Sequence, residues 1–160
     1  MNRREMIGAF GVAAASLAVA GPESMAQAQP HDQQHGDKQD HHRDKHQQMA
    51  EACAKTCSDC MDECNEGFHH CFDQLSAGKK EHARSMQMCV DCAEICAVTA
   101  QLCARMSPLM RHCCDACAKS CEDCAAECQR ISAPQMKEVV EACRKSAKSC
   151  RDMVSMMGGN

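Results

Sequence analysis

Tryptophan and tyrosine are absent from this chain, and phenylalanine occurs only 3 times in 160 residues. Aromatic side chains usually supply much of the buried area of a domain, so this core must be built from other residues. The formal net charge of -4 excludes a basic surface for nucleic acid. Beyond the N-terminus, no apolar run is long enough to cross a bilayer. We therefore expect one domain, with no nucleic-acid partner and no membrane span after processing.

Cysteine is the residue in excess, with 17 in the chain. So many cysteines in a short sequence indicate either a disulfide scaffold or a protein that binds metal through thiolates. Large aliphatic residues are few, and buried cysteine behaves as a small hydrophobe. A core of small thiols buries little apolar area, so we expect a weak metal-free fold that metal binding stabilises.

The N-terminal residues 1–28 have the features of an export signal. Arg3 and Arg4 precede a short stretch rich in Ala, Gly and Val, which resembles a twin-arginine signal. We expect cleavage after Ala28, although a second small-x-small site ends at Ala20. The alternative, a membrane anchor, is disfavoured because the stretch is short and weakly hydrophobic. This signal predicts a periplasmic or other extracytoplasmic location, where thiols meet an oxidising environment.

The rest of the chain divides into a linker and a helical domain. Residues 29–46 are polar and His-rich, which predicts a disordered linker, with weak metal capture by its histidines as the alternative. Residues 47–157 contain four helical segments, at about 47–75, 80–105, 108–130 and 134–157. Ser107 is the predicted N-cap of the third segment, with Pro108 at its first helical position. The short connections predict an all-α, antiparallel up-down-up-down four-helix bundle.

The cysteines recur at intervals of 3, 4 and 7 residues, which place them on one face of each helix. They occupy the positions where a bundle normally carries Leu and Ile, so the core is predicted to be lined with cysteine. We call the row of cysteines on one helix face a stripe; Cys113 lies beside the stripe of the third helix. The predicted ligands are Cys53, Cys57, Cys60, Cys64 and Cys71 in the first segment, Cys89, Cys92, Cys96 and Cys103 in the second, Cys113, Cys114, Cys117, Cys121, Cys124 and Cys128 in the third, and Cys143 and Cys150 in the fourth.

Three interpretations of these cysteines compete: apolar core, disulfides and metal ligands. The odd count and the rigid helical stripes disfavour a complete disulfide framework. Stacked zinc sites with four thiolates would each bury a net charge of about -2, which is costly. An iron-sulfur cluster needs cysteines on loops. Soft sulfur ligands favour Cu(I), and one Cu(I) per thiolate leaves the core neutral, so multiple Cu(I) ions are predicted.

Methionine gives a second indication of Cu(I), because thioethers bind this ion and not hard cations. One end of the predicted bundle gathers several methionines and two histidines. We interpret this end as the entrance for Cu(I); the alternative is that methionine fills gaps between helix ends. The predicted entrance ligands are Met49, Met106, Met110, Met157, His46 and His112.

The Cys stripes at 3/4 spacing, the four hairpin-linked helices and the twin-arginine signal resemble the exported bacterial copper storage proteins. The resemblance covers about residues 47–157 and the signal. It implies a four-helix bundle that associates as a tetramer and holds many Cu(I) ions, mainly between pairs of thiolates, with Met and His at the open end. Cys53 through Cys150 become the ligands. Gly67 interrupts the first stripe, so one layer lacks a ligand or the helix bends there.

We expect storage of Cu(I) for copper homeostasis and supply, with no enzymatic activity, since no nucleophile, base and orienting group stand together in the sequence. Two other functions remain open: a copper chaperone or detoxification protein, and a thiolate reservoir for Zn(II) or Cd(II). A copper-requiring enzyme or a chaperone is the expected recipient of the copper.

Overall fold

The computed structural model describes the backbone of residues 36–158 and the side chains of residues 44–158. The predicted signal at 1–28 and the linker up to residue 35 lie outside this range. Within it, no strand occurs, and no helix is long and apolar enough to cross a membrane. The all-α four-helix prediction is confirmed, with α1 at Gly36–Ser76, α2 at Ala83–Ala104, α3 at Met110–Cys128, α4 at Pro134–Gly158, and a short 3-10 helix at Lys80–His82.

Each helix packs against two neighbours, α1 and α3 both lying between α2 and α4. Contacts along α1 and α4 run in opposite order: Cys53 meets Cys150, whereas Cys71 meets Met136. Neighbouring helices are therefore antiparallel, as the short connections predict. The same reversal appears in Cys103–Cys114 and Cys89–Cys128 between α2 and α3, and in Arg151–Glu122 and Arg144–Gln129 between α3 and α4.

The first helix begins at Gly36, ahead of the predicted start at residue 47. The part of the predicted linker from 36 to 46 is therefore helical, which corrects the expectation of disorder for that stretch. Lys, Arg and Gln are good helix formers, and extending a helix that already exists costs little compared with nucleating one. The sequence gives no apolar periodicity there, which is why the pattern alone placed the boundary too late.

Helix α1 ends at Ser76 in a turn that uses glycine. The amide of Gly78 donates to the carbonyl of Leu75 at 2.9 Å, and that of Lys79 donates to Gln74 at 3.0 Å. Gly78 has φ 87°, the left-handed conformation that this C-cap motif requires. The predicted helix stop is therefore present, and the chain reverses directly into α2.

Helix α2 ends in the same motif with a methionine in place of the glycine. The amide of Met106 donates to Cys103 and that of Ser107 to Leu102, both at 3.0 Å. Met106 has φ 52°, which costs a residue with a Cβ about 1–2 kcal/mol. This is the one non-glycine residue with positive φ among the described residues.

The starts of α3 and α4 differ from each other. Pro134 is the first residue of α4, as predicted. By contrast, α3 begins at Met110, so the prediction of Ser107 as its N-cap and Pro108 as its first residue is wrong. Ser107 instead closes a separate turn, in which its hydroxyl accepts from the Leu109 amide at 3.3 Å and its carbonyl accepts from the Met110 amide.

The core consists mainly of thiols. Of the 17 cysteines, only Cys113 is not fully buried. The larger side chains with at most 2% solvent exposure are three methionines, one valine and one threonine, namely Met110, Met136, Met153, Val139 and Thr99. Because burial contributes about 25 cal/mol per Å² of apolar area, this small-residue interior gives the metal-free protein little hydrophobic stabilisation.

Candidate metal centre

Four helices contribute thiols to one central group. Cys60, Cys92, Cys121 and Cys143 come from α1, α2, α3 and α4, and their sulfur atoms lie within 4.8 Å of one another. The separations are 3.7 Å for Cys60–Cys143 and Cys92–Cys121, and 4.0 Å for Cys60–Cys121 and Cys92–Cys143. Since metal–sulfur distances are about 2.3 Å, one ion can reach all four sulfurs.

A second four-thiol group shares two members with the first. Cys64 and Cys124 replace Cys60 and Cys121, while Cys92 and Cys143 belong to both groups. Cys64 lies 3.8 Å from Cys143. The ligand sets therefore overlap, and the thiols form a column along the bundle axis.

The column continues toward the start of α1 through two three-thiol groups. Cys53 and Cys150 are 3.7 Å apart, and Cys57 and Cys150 are 3.6 Å apart. Cys53 also belongs to a group with Cys103 and Cys114, which are separated by 3.6 Å. Each group draws on at least two helices, so the pairing of these thiols depends on the fold.

At the opposite end the column has fewer thiols: one three-thiol group and one pair of a thiol and a thioether. Cys89, Cys124 and Cys128 form the last three-thiol group, with 3.7 Å between Cys89 and Cys128. Beyond it, the Cys71 thiol donates to the thioether sulfur of Met136 at 3.8 Å. Met136 therefore adds a soft ligand that the predicted site did not include.

Close packing separates the thiols into those that ionise readily and those that do not. Hydrogen bonds donated by neighbouring thiols lower the pKa of one set, which comprises Cys53, Cys60, Cys92, Cys117 and Cys124. The donating partners keep their protons, so the pKa is raised for Cys57, Cys64, Cys89, Cys96, Cys103, Cys121, Cys128, Cys143 and Cys150. Because like charges repel in a buried site, a thiol with a lowered pKa is surrounded by neighbours that keep their protons.

The predicted entrance residues separate into buried and exposed groups. Met110 is buried in the core, and Met49 and Met157 pack against it half-buried. His112 and Met106 are exposed, Met106 by 38%. The structure thus gives this end a buried thioether next to the thiols and two exposed side chains outside.

The remaining predicted ligands at this end differ in their surroundings. His46 is half-buried, and its Nε2 atom is buried with no hydrogen-bond partner, a state that metal coordination would relieve. Cys113 lies away from the column and lines a surface hollow of about 320 Å³ together with Ile95 and Val98. Its thiol is the one cysteine sulfur that the structure leaves outside the core.

One serine and one threonine occupy stripe positions that the predicted site did not include. Ser146 falls between Cys143 and Cys150 at the same 3/4 spacing, and its hydroxyl lies 3.5 Å from the Cys57 sulfur. Thr99 holds the corresponding position in α2, where its hydroxyl donates to a backbone carbonyl of its own helix. The 3/4 spacing identifies both positions when it is applied to every residue type and not to cysteine alone.

Two histidines near the α1–α2 turn also escaped prediction. The rings of His70 and His82 are 5.5 Å apart, edge to face. His70 Nε2 and His82 Nδ1 are both buried without a hydrogen-bond partner, and burial lowers the pKa of His82. Both residues line a surface cavity of about 620 Å³. Imidazole nitrogens without a hydrogen-bond partner suit a soft or borderline metal ion.

Three solved structures resemble this fold. The Cu(I)-bound copper storage protein BsCsp3 is 31% identical, with a TM-score of 0.61 and coverage of 66% of this chain and 98% of that chain. Apo-Csp3 from Bacillus subtilis is 33% identical, with a TM-score of 0.58 and the same coverage. The Nitrosospira multiformis protein Nmul_A1745 is 32% identical, with a TM-score of 0.60 and coverage of 68% and 96%. No curated protein sequence gives a significant match.

A helical bundle filled with contacting thiols defines a metal-thiolate protein, and the comparisons narrow this class. The family profile described as copper storage protein, Csp, matches residues 25–155. The chain therefore belongs to the copper storage protein family, which confirms the predicted resemblance. This is a family of storage proteins and not of enzymes.

Proposed function

We propose that this protein stores several Cu(I) ions on the thiolates inside its four-helix bundle, for copper homeostasis and supply. One observation carries the proposal: the buried thiols contact one another in overlapping groups along the bundle, with spacings of 3.6–4.0 Å. Such overlap provides many adjacent sites and not a single one. The Cu(I)-bound state of the relative BsCsp3 supports the choice of metal.

The charge balance of the core favours a monovalent ion. Each thiolate brings a charge of -1, and one Cu(I) per thiolate leaves the buried column neutral, whereas stacked divalent sites with four thiolates would not. Thiolates and thioethers are soft ligands, which select Cu(I). The thiol groups described above are buried, whereas a dedicated chaperone needs an exposed site to hand over one ion.

An anaerobic titration of the reduced mature protein with Cu(I), against a competing chelator, tests the proposal. We expect tight uptake that approaches one Cu(I) per cysteine, because nearly every thiol has a neighbour to share an ion. Saturation after one or two ions would instead indicate a chaperone and contradict storage.

A divalent reservoir is the second candidate, because four of the six S–S separations in one group fit a tetrahedral metal site. A metal about 2.3 Å from four sulfurs sets S–S edges of about 3.8 Å, close to the 3.7–4.0 Å separations of Cys60, Cys92, Cys121 and Cys143. A parallel titration with Zn(II) or Cd(II) discriminates the two functions. Tighter loading of the divalent ion, at about four thiols per ion, would favour the reservoir.

We propose that Cu(I) enters at the Met-rich end. Met106 supports this, since it holds an exposed thioether in the conformation that glycine normally adopts at such a helix end, and strained residues cluster at functional positions. Replacing Met106, Met110 and Met157 with Leu is expected to slow Cu(I) uptake without reducing the final capacity. Unchanged kinetics would contradict this entrance.

The His70–His82 pair is the competing entrance, because both residues line a surface cavity and each has a buried ring nitrogen without a hydrogen-bond partner. Replacing His70 and His82 with Gln in the same kinetic experiment identifies the end of the bundle at which Cu(I) enters. Slower uptake in that variant alone would place entry at the α1–α2 turn. Capacity serves as the internal control, since neither set removes a cysteine.

Export and assembly complete the proposal. We propose that residues 1–28 direct export by the twin-arginine route, which carries folded proteins, so the thiol core forms before it meets an oxidising compartment. Replacing Arg3 and Arg4 with Lys is expected to retain the protein in the cytosol. We also propose a homo-oligomer, a tetramer by resemblance, which sedimentation measurements on the mature protein would test. The storage role without catalysis predicts transfer of copper to a copper-requiring enzyme or chaperone.

A further inference from the structure

The thiol column narrows at one layer of the bundle. At the level of Cys57 and Cys117, the stripe positions of α2 and α4 carry Thr99 and Ser146 instead of cysteine. Thr99 donates its hydroxyl to the Ile95 carbonyl at 2.8 Å and so turns it away from the sulfurs. Ser146 is fully buried. Two of the four helices therefore supply no thiol at this layer.

Only one thiol joins the two sides of that layer. Cys117 lies 4.0 Å from Cys57 on one side, and 3.6 Å from Cys96 and 3.9 Å from Cys121 on the other. Among the described side chains, no other hydrogen-bonded thiol pair joins the two sides of the layer. The near compartment, toward the start of α1, comprises Cys53, Cys57, Cys103, Cys114 and Cys150. In the far compartment such contacts link Cys60, Cys64, Cys92, Cys96, Cys121 and Cys143. Cys89, Cys124 and Cys128 join them through Cys124, which lies within 4.8 Å of Cys64, Cys92 and Cys143, and the Cys71–Met136 pair lies at the end.

We propose that Cys117 is the relay through which Cu(I) passes between the two compartments, an inference that rests on the proposed storage function. The step is a ligand exchange. A Cu(I) ion held by Cys57 forms a bond to the Cys117 sulfur and then to Cys96 or Cys121, while its bond to Cys57 breaks. The accepting thiol gives up its proton and the vacated thiolate takes one, so copper stays monovalent and no electron moves.

The surroundings of Cys117 explain why no other group can replace it. A hydroxyl is a hard, neutral ligand, and Cu(I) prefers soft sulfur, so Ser146 and Thr99 cannot carry the ion across. The layer is also buried, which excludes water as a temporary ligand. Without Cys117, the ion has to cross from Cys57 to the far compartment with no intermediate sulfur.

Kinetics of Cu(I) uptake by the full mature protein, reduced and free of oxygen, test the relay. The variant is Cys117→Ser, and the matched control is Cys128→Ser, which removes a buried thiol from the same stripe of α3 at the end of the column. Cys117→Ala serves as a second variant if serine disturbs folding, which far-UV circular dichroism monitors. The probe is Cu(I) delivered from a weak chelator, whose absorbance reports transfer.

We expect the wild type and Cys128→Ser to fill in one continuous process. Cys117→Ser should fill one compartment normally and the other at least about tenfold more slowly, which equals about 1.4 kcal/mol in the barrier. The final capacity should fall by about the same amount in both variants. If the amount of Cu(I) taken up in the fast phase matches the smaller, near compartment, Cu(I) enters at the start of α1. If it matches the larger, far compartment, Cu(I) enters at the α1–α2 turn.

Uptake by Cys117→Ser that matches Cys128→Ser in both rate and number of phases would overturn the relay while leaving storage intact. Failure of the wild type to take up many Cu(I) ions would instead overturn the proposed storage function itself. The two failures are therefore distinguishable in one set of titrations.

Discussion

The Cys71 thiol lies 3.8 Å from the thioether sulfur of Met136. Every other buried cysteine has another thiol within 4.0 Å, so Cys71 is the stripe cysteine whose close sulfur partner is a methionine. Thiol and thioether come from facing helices, α1 and α4, and Met136 has no solvent exposure. The thiol column thus ends in a mixed pair of one thiol and one thioether.

Replacing Met136 with Leu is expected to remove one Cu(I) position with little effect on the fold. The exchange nearly conserves volume, so the free energy of unfolding should fall by less than about 1.5 kcal/mol. Chelator competition is expected to show that the capacity drops by about one ion or that the last ion binds more weakly. Met61→Leu, on a half-buried methionine of α1, is the control and should leave both quantities unchanged.

Gly67 is required by close packing between α1 and α4. A Cβ at this position would lie 2.6 Å from Val139 Cγ2 and 3.2 Å from the Cys89 sulfur. Gly67→Ala should therefore lower the free energy of unfolding of the apo protein by about 1–3 kcal/mol, as measured in urea. The double variant Gly67→Ala with Val139→Ala removes the principal clash and should recover part of the loss. A single variant as stable as the wild type would contradict this packing.

Ser146→Cys should add one ligand to the column. The new sulfur would stand at a fully buried stripe position, next to Cys57, where the hydroxyl now lies 3.5 Å from the thiol. The Cu(I) capacity is expected to rise by about one, on the basis of one soft ligand per monovalent ion. Ser149→Cys adds a thiol to the same helix away from the stripe. An equal increase in both variants would show that the stripe does not define the site.

Stability of the apo protein should decrease in alkaline solution. Burial raises the pKa of the Cys71 thiol from an ordinary 9.0 to about 11. Between these values the unfolded state has lost this proton and the folded state has kept it, so the free energy of unfolding falls as pH rises through the window. The contribution is about 3 kcal/mol, at about 1.4 kcal/mol for each pKa unit.

Urea unfolding of the apo protein at about pH 8 and about pH 10 measures this dependence. Cys71→Ser should lose stability less steeply over that range, because a hydroxyl does not titrate there. Cys113→Ser, at the half-buried cysteine outside the core, should behave like the wild type. Equal slopes for all three proteins would contradict the role assigned to Cys71.

The sequence predicts most of this fold because one physical rule repeats through it. Intervals of 3 and 4 residues place a side chain on one helix face, and 16 of the 17 cysteines are accordingly buried in the core. The rule says nothing about residue type, so Ser146 was overlooked although it sits on the stripe. The start of α1 was also misplaced, since the residues before His46 are polar on every face and carry no periodic signal.

Contacts that depend on turn geometry could not be predicted from spacing. His82 belongs to the 3-10 helix that precedes α2, and its approach to His70 is set by how the chain reverses at Gly78. Likewise, the thioether of Met106 is held by a backbone conformation that a sequence pattern predicts for glycine. Both residues lie at the ends of the bundle, where local turns and not helical periodicity determine the position of the side chains.

The core side chains of this bundle are small and similar in shape. The Cu(I) capacity can therefore change in single steps as one core residue replaces another. A change between Ser146 and cysteine exchanges one oxygen for one sulfur without altering helix length, register or loops. Selection could therefore raise or lower the copper load of such a protein by single substitutions, each inherited independently of the fold. The limit is set by layers such as that of Gly67, where the helices approach too closely for any added atom.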